Sequence, residues 1–450
     1  MFLSKLSKKE KMFRYRFLIC VALFIFCNNT ITFSQQQVGL HFMDVWQSSK
    51  TNPAYISDSK IVIGLPSVHL SYYNTTGDFN SLIVDYLNEE QGIKPGEALN
   101  DLPTANNILR GVLEVETFNI GYRLGKVQLG LNHSVKTDMY LRFPKTLAQL
   151  FLEGNGQFVG EKIDLSHDMH LTSYNEFGLS GAIQLSKLKI GARMKFLTGI
   201  ANASVEKDEL SLFTDDDVYQ LTLDGDYALD ASGLINVDDL DNFNLSLGAF
   251  SFNDFITENI GLAFDLGVTY QVNEKLNLSA SVLDLGKINW TKNVNKYVNK
   301  GETTYDGFDF AQFVGNDSIS FGSVLDTLQN SFNFTQENES YSTNLPVKVY
   351  LSGTYQLNEK IQLGGLLYYE NYRGEHFPVL GLSANTKFKN IFNVGATYSA
   401  RKNSFLNLGL NFAINYKAFQ LFATADNVVA AFQPYKSSNV NFRTGLNLLF

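Results

Sequence analysis

The chain has 450 residues, of which 36 are Lys or Arg and 45 are Asp or Glu, and its formal net charge at pH 7 is −9. An acidic chain is a poor candidate for binding nucleic acid, which requires a basic surface. Its two cysteines, Cys20 and Cys27, lie close to the N-terminus, so the rest of the sequence contains no disulfide framework, thiolate metal site or cysteine nucleophile.

The N-terminus has the pattern of a secretory signal peptide. Six basic residues precede or flank an apolar run over residues 17–27, and a polar stretch then ends at Ser34. The apolar run spans about 11 residues, whereas a helix that crosses a bilayer needs roughly 20. We therefore predict export and cleavage after Ser34. Removal of residues 1–34 leaves 30 basic and 44 acidic residues, and hence a net charge of −14.

The next segment, residues 35–59, is polar and irregular and contains Asn52-Pro53-Ala54-Tyr55. Proline has no backbone donor, and it keeps the residue before it out of the helical region. The segment is therefore expected to form neither a regular helix nor a sheet ladder.

From residue 60 onward, apolar and polar residues alternate in runs about 11–14 residues long. Within residues 404–416, for example, Leu408 and Leu410 share one face, while Asn407 and Asn411 share the other. A period of two is that of a β-strand. Ordinary strands average about 5–6 residues, whereas a tilted strand that crosses a membrane needs roughly 9–11. The run lengths predict membrane-spanning strands.

The two faces of these runs differ in chemistry. The apolar face often has an aromatic residue near one end, as in the interfacial girdles of membrane barrels. The opposite face contains Gly, Ser, Thr and Asn with isolated charges, which suits a hydrated lumen better than the core of a soluble sandwich. An Arg or Lys that faced lipid near the midplane would cost roughly 2–4 kcal/mol. We therefore place these charges in a lumen: Arg123, Arg193, Lys195, Asp265, Lys348, Glu370, Arg401 and Arg443.

Short and long connections alternate between the predicted strands. Tight turns such as Asn273-Glu274-Lys275 separate long connections at about residues 74–111, 144–170, 231–258 and 292–343. Short periplasmic turns with long outer loops are the asymmetry of an outer-membrane barrel. The sequence thus predicts an all-β fold over residues 60–450: a single transmembrane antiparallel β-barrel with about 14 strands, within a range of roughly 12 to 16.

The chain ends in an amphipathic strand, in which one face contains Phe442, Thr444, Leu446, Leu448 and Phe450. A final strand whose last residue is aromatic resembles the C-terminal signal by which the barrel-assembly machinery recognises its clients. This resemblance implies the cell outer membrane of a Gram-negative bacterium, with outer-membrane lipids and the assembly machinery as partners.

The sequence contains none of the common catalytic motifs, such as Gly-x-Ser-x-Gly or His-Glu-x-x-His. His133 beside Ser134 comes closest to a hydrolase pair at a barrel rim. His167 and His170 are three residues apart, and on a strand such residues point to opposite faces. We predict that the protein is not an enzyme and has no metal site or cofactor.

Several motifs resemble a family of Bacteroidota outer-membrane barrels of unknown function. Its members begin with a Leu-Asn-Pro-Ala-[Tyr/Phe] motif before a first strand that contains Gly-Leu-Pro. Residues 47–55 and 61–67 match this pattern, with Thr51 in place of the usual Leu, and residues 341–346 and 426–428 match further pieces. The resemblance covers residues 38–450.

More distantly, Asn52-Pro53-Ala54 resembles the N-terminal hatch motif of the long-chain fatty-acid transporter barrels. Together with Tyr55, it is similar to the motif of the PorP/SprF-type barrels that accompany type IX secretion and gliding. In the transporter group, the N-terminal segment plugs a 14-stranded barrel. Irregular backbone at membrane depth must be buried in protein or line a wet cavity, so residues 35–59 either plug the lumen or lie in the periplasm. As a plug, Asn52–Tyr55 should pack against inward residues such as Arg123 or Arg443.

Two functions remain open from the sequence. The hatch-like motif implies a plugged transport channel for a small hydrophobic molecule, which we predict. The long connection over residues 292–343 and the similarity to secretion-associated barrels imply the alternative, a structural barrel that anchors a surface or type IX secretion/gliding-associated assembly through a protein partner.

Overall fold

The computed structural model describes most of the chain after residue 36. The described residues are 37–75, 99, 102–233, 257–305, 335–388, 391–401, 404–428, 430 and 439–450. The predicted signal peptide, residues 1–34, lies outside the described residues. The same holds for the central parts of three predicted connections, those at 74–111, 231–258 and 292–343.

The described residues form one antiparallel sheet with 20 strands. The first ten strands are β1 Ile61–Gly64, β2 Ser67–Asn74, β3 Asn107–Leu124, β4 Val127–Phe143, β5 Lys162–Asp164, β6 Asp168–Leu185, β7 Leu188–Thr214, β8 Leu221–Gly233, β9 Ile260–Gln271 and β10 Leu276–Trp290. The other ten are β11 Val294–Tyr305, β12 Thr335–Glu337, β13 Tyr341–Asn344, β14 Val347–Gln356, β15 Ile361–Tyr372, β16 Glu375–Phe388, β17 Phe392–Arg401, β18 Ser404–Tyr416, β19 Phe419–Ala425 and β20 Asn439–Leu449. The helical elements are α1 Val38–Phe42, α2 Lys145–Glu153 and the 3-10 turns Trp46–Lys50 and Gly156–Phe158.

Fourteen strand positions of this sheet close into a barrel. β1 and β2 together form the first position, and β13 and β14 together form another. The remaining twelve positions are single strands: β3, β4, β6, β7, β9, β10 and β15 to β20. β20 closes the ring by pairing with β1, where Val62 faces Leu449, and with β2, where Val68 faces Thr444. The all-β barrel of about 14 strands predicted from the sequence is confirmed.

The wall of the barrel is apolar outside and polar inside. Leu382 and Leu410 are 50% and 51% exposed, whereas the next residues along their strands, Ser383 and Asn411, are 7% and 2% exposed. A soluble protein would bury the leucines instead, so this arrangement is that of a barrel surrounded by lipid. Among the described helices, none is long and apolar enough to cross a membrane.

The two ends of the barrel differ in their connections. Five described hairpins at one end have turns of two to four residues, namely 125–126, 186–187, 272–275, 357–360 and 417–418. We call this the short-turn end, and it corresponds to the periplasmic side of outer-membrane barrels. The opposite end, the outer end, has the long connections, although β15 and β16 are joined there by the tight turn Arg373-Gly374.

A smaller sheet continues beyond the outer end of the barrel. The second half of the long strand β7 pairs with β5 and β8, β8 pairs with β11, and β11 pairs with β12. This outer sheet has its own hydrophobic core, which includes Val205, Tyr227, Leu229 and Tyr297. The predicted connection 292–343 therefore contains strands, which its polar sequence did not indicate.

Placing a charge on the lipid face should destabilise the barrel. We expect Leu382→Arg, at the middle of β16, to lower the free energy of unfolding by about 2–4 kcal/mol, because it desolvates a guanidinium near the midplane. Val218→Arg is the matched control, since Val218 lies between β7 and β8 and is 72% exposed; its effect should stay within about 0.5 kcal/mol. Urea unfolding in phospholipid vesicles measures both, and equal losses would contradict a lipid-facing β16.

Candidate functional site

The structure places residues 37–58, the lumenal segment, inside the barrel. Leu40, Trp46, Gln47 and Ser48 are all buried. The Trp46 indole Nε1 donates to Asn119 Oδ1 on β3 at 2.6 Å. The Gln47 amide donates to Asn447 Oδ1 on β20 at 2.8 Å. The polar groups of this irregular segment thus find partners on the inner wall, as buried polar groups must.

The beginning of the lumenal segment is tied to the connection that follows β19. The Asp426 carboxylate accepts hydrogen bonds from the backbone N–H of Val38 at 3.1 Å and of Gly39 at 2.8 Å. On the other side of α1, Val38 and Phe42 pack against Tyr350 and Leu366 of the wall. The short helix α1 is therefore fixed by polar contacts at its start and by apolar packing along its side.

Glycines on the inner wall make room for the lumenal segment. A Cβ at Gly121 would lie 2.7 Å from Trp46 Cζ2, and one at Gly364 would lie 2.5 Å from Phe42 Cε1. A Cβ at Gly191 or Gly267 would overlap the backbone or side chains of Asn52-Pro53. Real Cβ atoms do not approach other atoms so closely, so these four positions require glycine while the segment is in place. The wall and the segment are complementary in shape.

The Asn52-Pro53-Ala54-Tyr55 motif forms a local turn against the wall. Asn52 Oδ1 accepts from the Ala54 N–H at 2.9 Å, and Asn52 Nδ2 donates to Ser279 Oγ at 3.2 Å. The Tyr55 hydroxyl donates to Asp44 Oδ1 at 2.8 Å. An Asn that bonds to the N–H two residues later is an Asx turn. This side chain therefore shapes the segment itself as well as attaching it to the wall.

The motif Asn52–Tyr55 is expected from the sequence to pack against inward residues such as Arg123 or Arg443, but in the described structure both arginines make their polar contacts with other residues. Arg123 Nη1 donates instead to the Ser57 carbonyl at 2.8 Å, and Arg443 pairs with the Glu114 carboxylate. Arg193 makes the other arginine contact, from Nη2 to the Ser49 carbonyl at 2.9 Å. Both arginines that bind the segment therefore bind backbone carbonyls on either side of the motif.

A network of ion pairs fills the middle of the lumen. Lys50 of the lumenal segment reaches the carboxylates of Glu114 at 2.6 Å and Glu116 at 2.8 Å. On β7, three strand positions from β3 around the barrel, Lys195 lies 2.7 Å from Asp265 and also pairs with Asp284. A charge removed from water needs an opposite charge and hydrogen bonds nearby, and each of these groups has both.

The eight charges that the sequence places in the lumen all lie on inner faces of the barrel strands. Arg193, Lys195, Asp265, Glu370, Arg401 and Arg443 are at most 4% exposed. The Lys348 side chain is 15% exposed and pairs with Asp284, and the Arg123 side chain is 30% exposed near the short-turn end.

Sequence reasoning missed several members of the network. Glu114, Glu116, Lys136 and Glu176 lie on inner faces and follow the same alternation, so the period of two could have found them. Asp284 follows no such pattern, because its φ of 62° interrupts the regular register of β10 with β9.

At the outer end, the turn between β15 and β16 crosses the mouth of the barrel. The Arg373 guanidinium lies 2.7 Å from an Asp168 carboxylate oxygen of β6, and donates to Ser204 Oγ and the Val205 carbonyl of β7 at 2.9 and 2.7 Å. β6 and β7 are several strand positions away from β15 and β16. The hairpin therefore bridges two distant parts of the wall.

A second layer lies below this turn. Arg110 of β3 pairs with Glu370 of β15 at 2.9 Å and with Asp138 at 3.0 Å. Its guanidinium lies 4.2 Å from the centroid of the Tyr372 ring, and Tyr140 meets the same ring edge-on at 5.6 Å. We call Arg110, Tyr140, Glu370, Tyr372 and Arg373 the outer closure, because their contacts join opposite walls of the barrel.

Two cavities lie on either side of the lumenal segment. A vestibule of about 800 Å³ adjoins the segment near the short-turn end and is lined mainly by Asn, Gln, Ser and Thr, including Gln271, Asn277, Gln356 and Asn385. A cavity of about 60 Å³ lies within the ion-pair network, beside Lys50. The smaller space has room for about two waters.

The structure does not form the hydrolase pair considered from the sequence. His133 faces outward, where its Nδ1 hydrogen bonds to Thr117 Oγ1 at 2.8 Å, while Ser134 faces inward and donates to Glu114 at 3.3 Å. His167 and His170 have separate partners, the Tyr227 hydroxyl and the Thr172 hydroxyl. Among the described residues, no three His, Cys, Asp or Glu side chains are grouped to hold a metal ion.

The last strand contributes to both faces of the wall. Phe442 and Phe450 are exposed on the outer face, while Arg443 and Asn447 are buried in the lumen. Thr444, Leu446 and Leu448 continue the outer face between the two phenylalanines. Recognition of this strand by the assembly machinery stays a prediction.

The closed 14-position barrel, with its apolar exterior and polar lumen, has the architecture of an outer-membrane β-barrel. Within that class, the chain belongs to the family of unknown function DUF5723, whose model matches residues 53–426. No curated protein matches the sequence. The Bacteroidota origin and the similarity to PorP/SprF-type barrels stay predictions.

Several solved structures are similar to the chain in fold. The "TodX deltaS2S3 mutant monoaromatic hydrocarbon channel" aligns with a TM-score of 0.46 at 10% identity, covering 90% of this chain and 95% of that one. A FadL homologue from Pseudomonas aeruginosa aligns with a TM-score of 0.43 at 9% identity, covering 92% and 96%. The toluene transporter TodX from P. putida gives 0.42 at 10% identity, covering 89% and 93%.

The neighbouring glycines Gly364 and Gly365 test the fit of the lumenal segment. Gly364→Ala should lower the free energy of unfolding by about 1–3 kcal/mol, because the new methyl group meets Phe42 and Ser383. Gly365→Ala has open space around its Cβ and should change it by less than about 0.5 kcal/mol. In a double-mutant cycle, Gly364→Ala should cost less in a Phe42→Ala background than in the wild type, because the clash with the Phe42 ring is then absent. Urea unfolding of the reconstituted protein measures all of these variants, and equal effects at both glycines would contradict the fit.

Proposed function

We propose that the protein is an outer-membrane channel that is closed at two levels in its resting state, by the lumenal segment and by the outer closure. The observation that carries this proposal is how the lumenal segment is attached. In the described structure, the segment makes no backbone-to-backbone hydrogen bond with a barrel strand before Lys60. Its contacts with the wall run through side chains, so it could be displaced while the strand pairing of the wall stays intact.

The same reasoning applies at the outer end. The outer closure consists of side chains and a single hairpin turn, and its contacts across the lumen contribute nothing to the ladder of the barrel. Breaking the pairs of Arg373 with Asp168 and of Arg110 with Glu370 would free the mouth without removing any strand. Both closures can therefore open independently of the barrel.

The lining of the lumen favours a small polar solute as the transported molecule. The vestibule is lined by amide and hydroxyl side chains, and the middle of the lumen by paired charges. These groups can replace the hydration of a polar solute, whereas an apolar molecule would have to displace their partners with no compensating hydrogen bonds. We therefore favour a polar solute over the hydrophobic one that the resemblance to fatty-acid transporters implies.

Conductance in planar bilayers tests the two closures. We expect the wild-type protein to be almost silent. Deletion of residues 38–57 alone, or the pair Tyr372→Ala and Arg373→Ala alone, should give small or rare openings, because one closure remains. The combination should conduct in large, long-lived steps.

A folded barrel in every variant, checked by its heat-modifiable mobility on gels, is the control for this experiment. Trp46→Ala with Asn52→Ala is a milder alternative to the deletion, because it leaves the length of the chain unchanged. A combined variant that is folded and as silent as the wild type would contradict the proposal.

The outer sheet favours a second candidate function, the anchoring of a partner at the outer face. The sheet formed by β5, β8, β11, β12 and the end of β7 has its own core and is not needed to close the barrel. At its tip, Val218 and Tyr219 are 72% and 64% exposed. Such a projecting, ordered element could present a surface to a partner.

A photo-crosslinking amino acid at Val218 tests this second candidate in intact cells. We expect a discrete adduct with one protein, and the same amino acid at the lipid-facing Leu382 is the control, where no such adduct should form. Uniform absence of adducts at both positions would contradict an anchoring role for the tip of the outer sheet.

A further inference from the structure

We propose that a ring of lysines at the short-turn end binds the headgroups of anionic phospholipids in the adjacent leaflet. Each of the five described turns at this end contains one lysine, and another lysine directly precedes β1. These six residues, the lysine ring, are Lys60, Lys126, Lys187, Lys275, Lys360 and Lys417. They are spread around the whole circumference of the barrel, since they mark the ends of strands from β1 to β19.

The lysine ring has no carboxylate partners among the described residues. All six side chains belong to exposed residues, and none forms a salt bridge there; two of them, Lys187 and Lys360, also line the vestibule. Four lysines at the outer end behave differently, because each lies 2.5 to 2.7 Å from a carboxylate: Lys162, Lys207, Lys292 and Lys296. The positive charge of the lysine ring is therefore available to a ligand, whereas the charges of these four outer lysines are already neutralised.

The two ends of the protein also differ in their balance of charge. Two of the five turns contain an acidic residue, Glu274 and Glu359. The six lysines of the ring therefore outnumber the two acidic residues of these turns. In the outer sheet, residues 205–233 contain nine acidic residues and one basic residue. The chain as a whole is acidic, and its short-turn end is positive in spite of this. Negative ligands are therefore favoured at the short-turn end.

The lysine ring lies at the level where lipid headgroups are expected. Tyr122, Tyr270 and Tyr355 are 41%, 46% and 43% exposed on the outer face, four or five residues from the lysine of the adjacent turn. Lys417 Nζ lies 5.5 Å from the ring centroid of Tyr416. Outward aromatic residues mark the interface between hydrocarbon and headgroups, and lysines beside them extend toward the phosphates.

A lipid surface fits this arrangement better than a soluble acidic protein. A protein partner would cover one patch, whereas the lysines follow the wall around the whole barrel. Each lysine near a membrane surface attracts anionic lipid appreciably, and the effects of several combine. The inferred ligand is thus a phospholipid with a negatively charged headgroup, bound by several lysines along the perimeter.

Spin-labelled phosphatidylglycerol and phosphatidylcholine, compared in reconstituted bilayers, test this inference. Their relative affinity for the protein surface follows from the motionally restricted fraction of each probe. The ring variant replaces four lysines that do not line the vestibule by glutamine: Lys60→Gln, Lys126→Gln, Lys275→Gln and Lys417→Gln. The matched control makes the same change in four outer lysines: Lys162→Gln, Lys207→Gln, Lys292→Gln and Lys296→Gln. Both variants change the formal charge by four, so they separate location from net charge.

We expect the wild-type protein to prefer phosphatidylglycerol by about threefold or more at low salt. The preference should fall to about one in the ring variant and persist in the control variant. High salt should weaken it in the wild type, because the charges are exposed, and this arm requires no substitution. A wild type without preference, a ring variant that keeps it, or equal loss in both variants would overturn the proposal. Binding of an acidic soluble protein in place of lipid would do the same.

Discussion

Charges enclosed in a membrane barrel must find partners inside it, and this constraint joins the wall to the lumenal segment. Lys50 is the clearest case, because its ammonium group lies between the carboxylates of Glu114 and Glu116. Glu114 also pairs with Arg443, next to the end of the chain. Removing the segment would leave Glu116 without this cation in a poorly solvated place, unless water entered. The position of the segment and the charge pairing of the wall therefore depend on each other.

Complementary shape is the second feature that joins the barrel wall to the lumenal segment. The bulky side chains of Trp46 and Phe42 lie where the wall has Gly121 and Gly364, so the absence of a side chain on the wall makes room for them. Close packing of this kind favours a single position of the segment. A displacement of its side chains by the size of one methylene group would cause a steric clash with the wall. Contacts through side chains can thus hold a segment that forms no backbone-to-backbone hydrogen bonds with the barrel strands.

The strands that contact lipid could be predicted from the sequence. In β18 and β20, one face meets lipid and the other meets the lumen, so alternation predicts both strand and orientation. The number of strands followed from counting such runs. Strands outside the membrane lack this signal, because both faces of a strand such as β11, VNKYVNKGETTY, can be polar. Three strands of the outer sheet, β5, β11 and β12, were accordingly expected to be loop.

The candidate site was less accessible to sequence reasoning. The motif Asn52–Tyr55 could be recognised, but its neighbours could not, since no period relates Asn52 to Ser279, or Ser49 to Arg193. The contact of Arg373 with Asp168 spans the barrel mouth and depends on how the wall closes. Such contacts become visible only when the curvature and register of all strands are known.

Hydrogen exchange of the reconstituted protein tests the central claim most directly, namely that the lumenal segment is held inside a closed barrel. The 3-10 turn Trp46–Lys50 is internally hydrogen bonded and buried. Its amides should therefore exchange far more slowly than those of a short exposed turn such as Glu274-Lys275. Exchange of Trp46–Lys50 as fast as that of the exposed turn would show that the segment spends its time outside the lumen, and would contradict the account.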